Sequence, residues 1–184
     1  MMTSYVCFDL ETTGLSPEKD EIIEIGAVRV EDGKVIGRFS EFMRPDQPIS
    51  PTVQEITGID NNMVASARPS DAVIFDFLEF SRDMPVLGHN LMFDYRFMSR
   101  YAKKYYMSFD RKGVDTLKIA RIVHKDLESR SLGSLCDHYG IINASAHRAY
   151  HDALATAKVY QNLQHYFGEK FPELFEEEPL VCRE

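Results

Sequence analysis

The chain reads as an α/β fold, with a five-stranded mixed β-sheet covered by helices on both faces. Three features predict it: an apolar first strand followed by a hairpin, later apolar strand-length segments alternating with helical ones, and a long last helix carrying a stripe of small residues. Residues 4–10 (Ser-Tyr-Val-Cys-Phe-Asp-Leu) are apolar on both sides of the alternation, as in a buried strand. Gly14, Pro17 and the run Glu18-Lys19-Asp20-Glu21 make the loop that follows. A second strand covers Ile22–Val30 and a third Val35–Met43, with Asp32-Gly33 as the hairpin turn between them. Ser50 caps a short helix that has Pro51 at its first position and stops at Gly58.

Residues 70–80 carry Val73, Phe77, Leu78 and Phe80 at mostly helical spacing, and Pro85–Gly88 is a short apolar strand. Asn90 is placed to cap a helix running to about Lys104. Val114 lies on a brief strand, and Asp115 caps the helix after it, which bears Ile119, Ile122, Val123 and Leu127. The last helix covers Ala149–Phe167, with Ala149, Ala153, Ala157, Tyr160 and Leu163 along one stripe and Gly168 at its end. These elements make one domain over residues 1–168, and residues 169–184 an acidic tail, expected to fray from Glu176-Glu177-Glu178-Pro179 onward.

With 184 residues, 44% hydrophobic and 27% charged, the chain can bury a sizeable core, which excludes disordered, collagen-like and coiled-coil classes. Its net charge of −8 argues against holding nucleic acid by bulk positive charge, so any such grip has to be local, with a shallow salt dependence. No apolar run approaches the roughly 18 residues a membrane span requires, and Met1–Tyr5 lacks the charged start of a secretory signal. The three cysteines form no CxxC pair and cannot all be bridged, which favours reduced thiols and a cytoplasmic setting.

The chemistry-bearing residues fall into three segments. In Phe8-Asp9-Leu10-Glu11-Thr12-Thr13-Gly14-Leu15, strand geometry sends Asp9 and Glu11 to one face, side by side, with no Lys or Arg in the segment to neutralise them. A divalent metal would. In His89-Asn90-Leu91-Met92-Phe93-Asp94, the acid falls on the stripe shared with Phe97, Met98 and Tyr101, which packs inward. In His147-Arg148-Ala149-Tyr150-His151-Asp152, Asp152 reaches the sheet edge, and His147 can meet it only from the loop before the helix. His147 and His151 stand four apart, but Arg148 occupies the place of the glutamate a zinc-protease helix requires.

F-D-x-E-T-T-G, H-N-x-x-F-D and H-x-A-x-x-D, in that order across residues 4–166, resemble the DEDDh group of DnaQ-like 3′→5′ exonucleases. The resemblance implies a ribonuclease H-like fold, with Asp9, Glu11, Asp94 and Asp152 as ligands to two Mg²⁺ or Mn²⁺ and His147 as general base. It places the terminal nucleotide against Thr12, Leu15, His89 and Phe93. It also departs at one position: many relatives have a histidine in the short-helix motif where this chain has Thr57, a version similar to that of polymerase-linked relatives of Gram-positive type. All-oxygen donors suit a hard cation, and an imidazole can take a proton from water near neutral pH. The implied activity is removal of nucleotides from the 3′ end of single-stranded or frayed DNA. A DNA polymerase is one partner the resemblance admits, with proofreading as the task. Two alternatives stay open at this point: an exoribonuclease trimming RNA ends, and a non-catalytic binding module on the same fold. The base-and-aromatic stretch Arg100 to Tyr106 reads as the solvated face of a helix or as a strand-binding patch.

Overall fold

The computed structural model describes residues 1–182; Arg183 and Glu184, the end of the expected tail, lie outside the described residues. Strands β1 (Tyr5–Thr12), β2 (Ile22–Glu31) and β3 (Lys34–Phe42) form an antiparallel meander. Its β2–β3 turn places Asp32 and Gly33 at φ 48° and 76°, the left-handed pair such a turn demands. Strands β4 (Val86–Gly88) and β5 (Lys112–Asp115) extend the sheet in parallel beside β1. The sheet order is β3-β2-β1-β4-β5-β6, six strands rather than five.

The sixth strand, β6 (Glu178–Pro179), corrects the expectation of a frayed tail. Apolar residues interrupt the acids there: Phe175, on a 3-10 turn Pro172–Phe175, is fully buried, and the Leu180 amide donates to the Arg111 carbonyl. The Met2 amide donates to the Phe175 carbonyl, and the Tyr160 hydroxyl donates to the Met2 carbonyl. The segments around Met2 and Phe175 are thereby held together on α7.

Helices α1 (Pro51–Thr57) and α2 (Asn61–Ala65) follow the meander, α1 with the Ser50 cap and the left-handed Gly58 stop its sequence spells. Helices α3 (Ser70–Phe80) and α4 (Leu91–Lys104) cover one sheet face, packing on Val6, Phe8, Ala27 and Val86. Helices α5 (Thr116–Val123), α6 (Leu132–Tyr139) and α7 (Ala149–Phe167) cover the other, against Tyr5, Cys7, Val28 and Leu87. The alternation along β1 therefore puts Asp9 and Glu11 on the α7 face, in line with Tyr5 and Cys7.

Two short helices, α2 and α6, were not among the expected elements; the five residues of α2 hold too few turns for periodicity to register. Asn90 also differs from expectation. It precedes α4 in the left-handed region at φ 64°, with no side-chain cap bond; its amide instead donates to the Asp115 carboxylate at 2.9 Å.

Helix α7 lies directly on β2 because Gly26 has no side chain. A Cβ there would fall 1.9 Å from the Tyr150 amide nitrogen and 2.0 Å from the Ala149 carbonyl carbon, and backbone cannot swing aside. Gly26→Ala is expected to lower the urea midpoint by an amount equivalent to about 3 kcal/mol, the upper end for overpacking. An unchanged midpoint would mean that the helix does not lie this close.

Candidate active site

The three motif segments converge at the carboxyl end of β1. Asp9 and Glu11 project from β1 toward α7, and Asp152 projects from the first turn of α7. Asp94 arrives from the first turn of α4 in the opposite layer. It is 4% exposed, and its Oδ1 accepts the Leu10 amide at 3.0 Å, which pins α4 to the strand between the two β1 acids. His147 precedes α7 in a loop, at φ 64°, and its amide donates to Asp152 Oδ2 at 3.0 Å. Glu11, His147 and Asp152 each bring a donor atom within 4.8 Å of the other two. Asp9 and Asp94 are not in that trio; charge links them to it.

That linkage shows in the protonation of the acids. Withdrawal from water, then the charges of Asp94, Glu11, Asp152 and Glu24, hold the Asp9 carboxyl well above the carboxylate range. Glu11 is pushed up to about 8 by burial and by Asp152, Glu24 and Asp94, against an opposing pull from Arg148. Burial lifts Asp94 to about 8 although its bond from the Leu10 amide favours the anion. Burial and mutual repulsion together keep these acids from all being charged at neutral pH.

Two members of this cluster were not singled out by the sequence motifs. Glu24 on β2 stands directly across from Glu11 in the strand register and is paired with Arg148 at 3.0 Å. Asn143 donates through Nδ2 to Asp152 Oδ1 at 2.6 Å. The paired acids Asp9 and Glu11 announced themselves through period-two spacing, whereas Glu24 looked like one polar residue in the alternation of a half-buried strand.

A family model described as Exonuclease (RNase_T) matches residues 6–160, most of the chain. The chain belongs to the exonuclease family. Among curated proteins, the exonuclease domain is 39% identical over 156 residues to DNA polymerase III PolC-type of Caldanaerobacter subterraneus subsp. tengcongensis, covering 85% of this chain and 11% of that one. It is 37% identical over 168 residues to the PolC-type polymerase of Latilactobacillus sakei, covering 91% of this chain and 12% of that one. The chain thus spans little more than a tenth of the length of the curated relatives it matches. Among solved structures, E. coli exonuclease I in complex with a dT13 oligonucleotide aligns with TM-score 0.84 at 21% identity, over 95% of this chain and 44% of that one. Exonuclease X in complex with 5′ overhanging duplex DNA aligns with TM-score 0.72 at 27% identity, over 89% and 93%. The DnaQ-like resemblance and the ribonuclease H-like fold it implied are those of these proteins.

Around the acidic cluster, the four residues expected to contact the nucleotide differ in their surroundings. Leu15 is 84% exposed at the tip of the loop after β1, an apolar side chain with nothing of its own to cover. Phe93 is half-buried beside Asp94, its ring 5.1 Å from that of Phe97. Thr12 donates to the Gly14 carbonyl at 2.7 Å and so braces the loop that carries Leu15. His89 stands apart: Nδ1 lies 2.8 Å from the Thr116 hydroxyl and Nε2 lies 2.9 Å from the Arg130 carbonyl. Both ring nitrogens are spent inside the protein, and burial lowers its pKa. Thr57 is likewise self-contained, donating to the Val53 carbonyl at 2.8 Å and accepting the Ile59 amide at 3.1 Å. Asp115 is the N-cap of α5, as its sequence position suggested, accepting the Leu117 amide at 2.9 Å.

Proposed function

We propose that this domain is a metal-dependent 3′→5′ exonuclease that hydrolyses the terminal phosphodiester bond of single-stranded or frayed DNA. Asp9, Glu11, Asp94 and Asp152 hold two divalent cations, Mg²⁺ or Mn²⁺, and His147 is the general base. The observation that carries this reading is the convergence of those acids from three separated segments into one site, with the Asp9, Glu11 and Asp94 carboxyls raised by burial and, for Asp9 and Glu11, by the charges of their neighbours. The donor set fits the group: carboxylate oxygens are ligands for hard cations. Arg148, the cation acting on Glu11, is already committed to Glu24. When bound, the cations supply the charge that makes water a nucleophile at neutral pH and stabilises the leaving oxygen.

The chain's own groups do the rest. His147 sits at the open side of the cluster and accepts the water's proton on a ring nitrogen. Asp152 holds the His147 amide and so ties base to ligand. Leu15 and Phe93 offer apolar surface against the last base, with Thr12 holding the loop, while His89 acts from behind the site by bracing β4 against α5 rather than touching the nucleotide. DNA is favoured as substrate because the PolC-type relatives are named as DNA polymerases and the aligned exonuclease structures hold DNA. A DNA polymerase as partner, and proofreading as the task, accord with relatives that are named as PolC-type DNA polymerases. Among the described residues, no helix is long and apolar enough to cross a membrane, and the free thiols Cys7, Cys136 and Cys182 suit the cytoplasm.

The deciding experiment is digestion of 5′-end-labelled DNA and RNA oligonucleotides. A ladder shortening from the 3′ end of DNA with Mg²⁺, and none with chelator, is expected. RNA cleaved in preference would move the reading to an exoribonuclease, and an uncut substrate would leave a binding module.

The same acids set a pH dependence of stability. Glu11 and Asp94 titrate near 8 in the folded, metal-free protein and near 4 when unfolded. Between those values the folded state keeps protons that the unfolded state has released, so metal-free stability contributed by these groups falls as pH rises from about 4 to about 8. Added Mg²⁺ or Mn²⁺ is therefore expected to raise the melting temperature most at pH 8 and least at pH 5, by scanning calorimetry. A metal effect independent of pH would contradict the assignment.

A further inference from the structure

Glu24 is 2% exposed, yet carries a carboxylate. Burying such a group is tolerable only when its oxygens are satisfied. Arg148 satisfies them through Nε at 3.2 Å and Nη2 at 3.0 Å to Oε1, with Nε 3.4 Å from Oε2. The Ala149 amide adds a bond to Oε2 at 3.3 Å. Helix α7 has no side-chain cap from Arg148 itself, so Glu24 caps the helix from a strand 125 residues away in sequence. The guanidinium also lies 5.0 Å over the Phe42 ring, which fixes its plane.

His147 immediately precedes this anchor. Ala144, Ser145 and Ala146 before it are exposed, and His147 itself holds a left-handed φ of 64° without being glycine. A side chain in that conformation stays there only when its surroundings over-determine it. On one side the bond from the His147 amide to Asp152 does so; on the other stands the Arg148 anchor.

We propose that the Glu24–Arg148 ion pair is a positioning device for the general base: it anchors the chain after His147 to β2 and thereby sets where the imidazole stands over Glu11 and Asp152. The proposal rests on the reading of His147 as base. An ion pair needed only for adhesion could be replaced by apolar side chains without loss. This one instead places a further carboxylate opposite Glu11, where it adds to the repulsion felt by Asp9 and Glu11.

The test compares Arg148→Met, Arg148→Lys and Glu24→Gln, each alone and in a His147→Ala background, on end-labelled DNA with Mg²⁺. Arg148→Met is expected to lower kcat about 10- to 100-fold with KM within about twofold, the scale of a small misplacement of a reacting group. Arg148→Lys should fall between it and wild type, since an ammonium cannot keep the forked contact. In the His147→Ala background the same changes should cost less than about twofold, because an effect exerted through the base vanishes with the base. Full kcat in Arg148→Met, or an equal loss with and without His147, overturns the proposal. If Arg148→Met fails to fold by circular dichroism, the Lys and Gln variants carry the same comparison. Hydrogen exchange at the His147 amide of the metal-free protein gives a readout independent of turnover: protection should fall at least about tenfold in Arg148→Lys and Glu24→Gln, and unchanged protection overturns the proposal. A His147→Ala enzyme with full activity would sink the base reading alone, and the exchange measurement would still decide whether the pair sets the loop.

Discussion

Asp94→Asn is expected to abolish turnover, by on the order of 10³-fold or more, while the fold stays cooperative. A ligand to a catalytic cation stabilises several kcal/mol of developing charge, and each ~1.4 kcal/mol is a factor of ten in rate. Asparagine is the informative replacement because Asp94 Oδ1 also accepts the Leu10 amide. The amide oxygen of Asn keeps that bond, whereas Ala would leave a buried donor without a partner and confuse lost chemistry with lost packing. Removing a carboxylate whose pKa burial has lifted to about 8 also relieves repulsion, so the metal-free variant should melt no lower than wild type at pH 8 and show a flatter pH dependence. Activity within about tenfold of wild type would remove Asp94 from the metal site.

The second large effect is that of the base. His147→Ala should cost about 10²- to 10⁴-fold in kcat, the worth of general-base catalysis, and less than the loss of a metal ligand. The penalty is smaller because bound cations already make water more acidic. The His147 side chain is exposed, and Ala meets the same left-handed backbone as His, so stability should remain within about 0.5 kcal/mol. A kcat within about twofold of wild type would assign the proton to another group.

How far the sequence foretold this site depends on the range of the interaction involved. Asp9 and Glu11 share a face because neighbours two apart on a strand must, and the α7 boundaries followed from an alanine stripe bounded by a loop and Gly168. Ser50, Pro51 and Gly58 act within a single helix, and so were legible. Glu24 and Arg148 meet across more than a hundred residues, and neither carries a local signal of the other. The role of Asn143 depends on the path of a loop that no propensity dictates. His89 is a related case: its motif position gives no sign of the partners of its two nitrogens, which lie 27 and 41 residues further along. The sixth strand was hidden because two residues carry no periodicity.

The clasp between Met2 and Phe175 ties the segment before β1 to the segment after α7, 3.3 Å from nitrogen to oxygen. Tyr160 on α7 holds the Met2 carbonyl as well. Loosening either segment therefore uncovers the same stretch of helix, and the two are expected to open as one cooperative unit in hydrogen exchange.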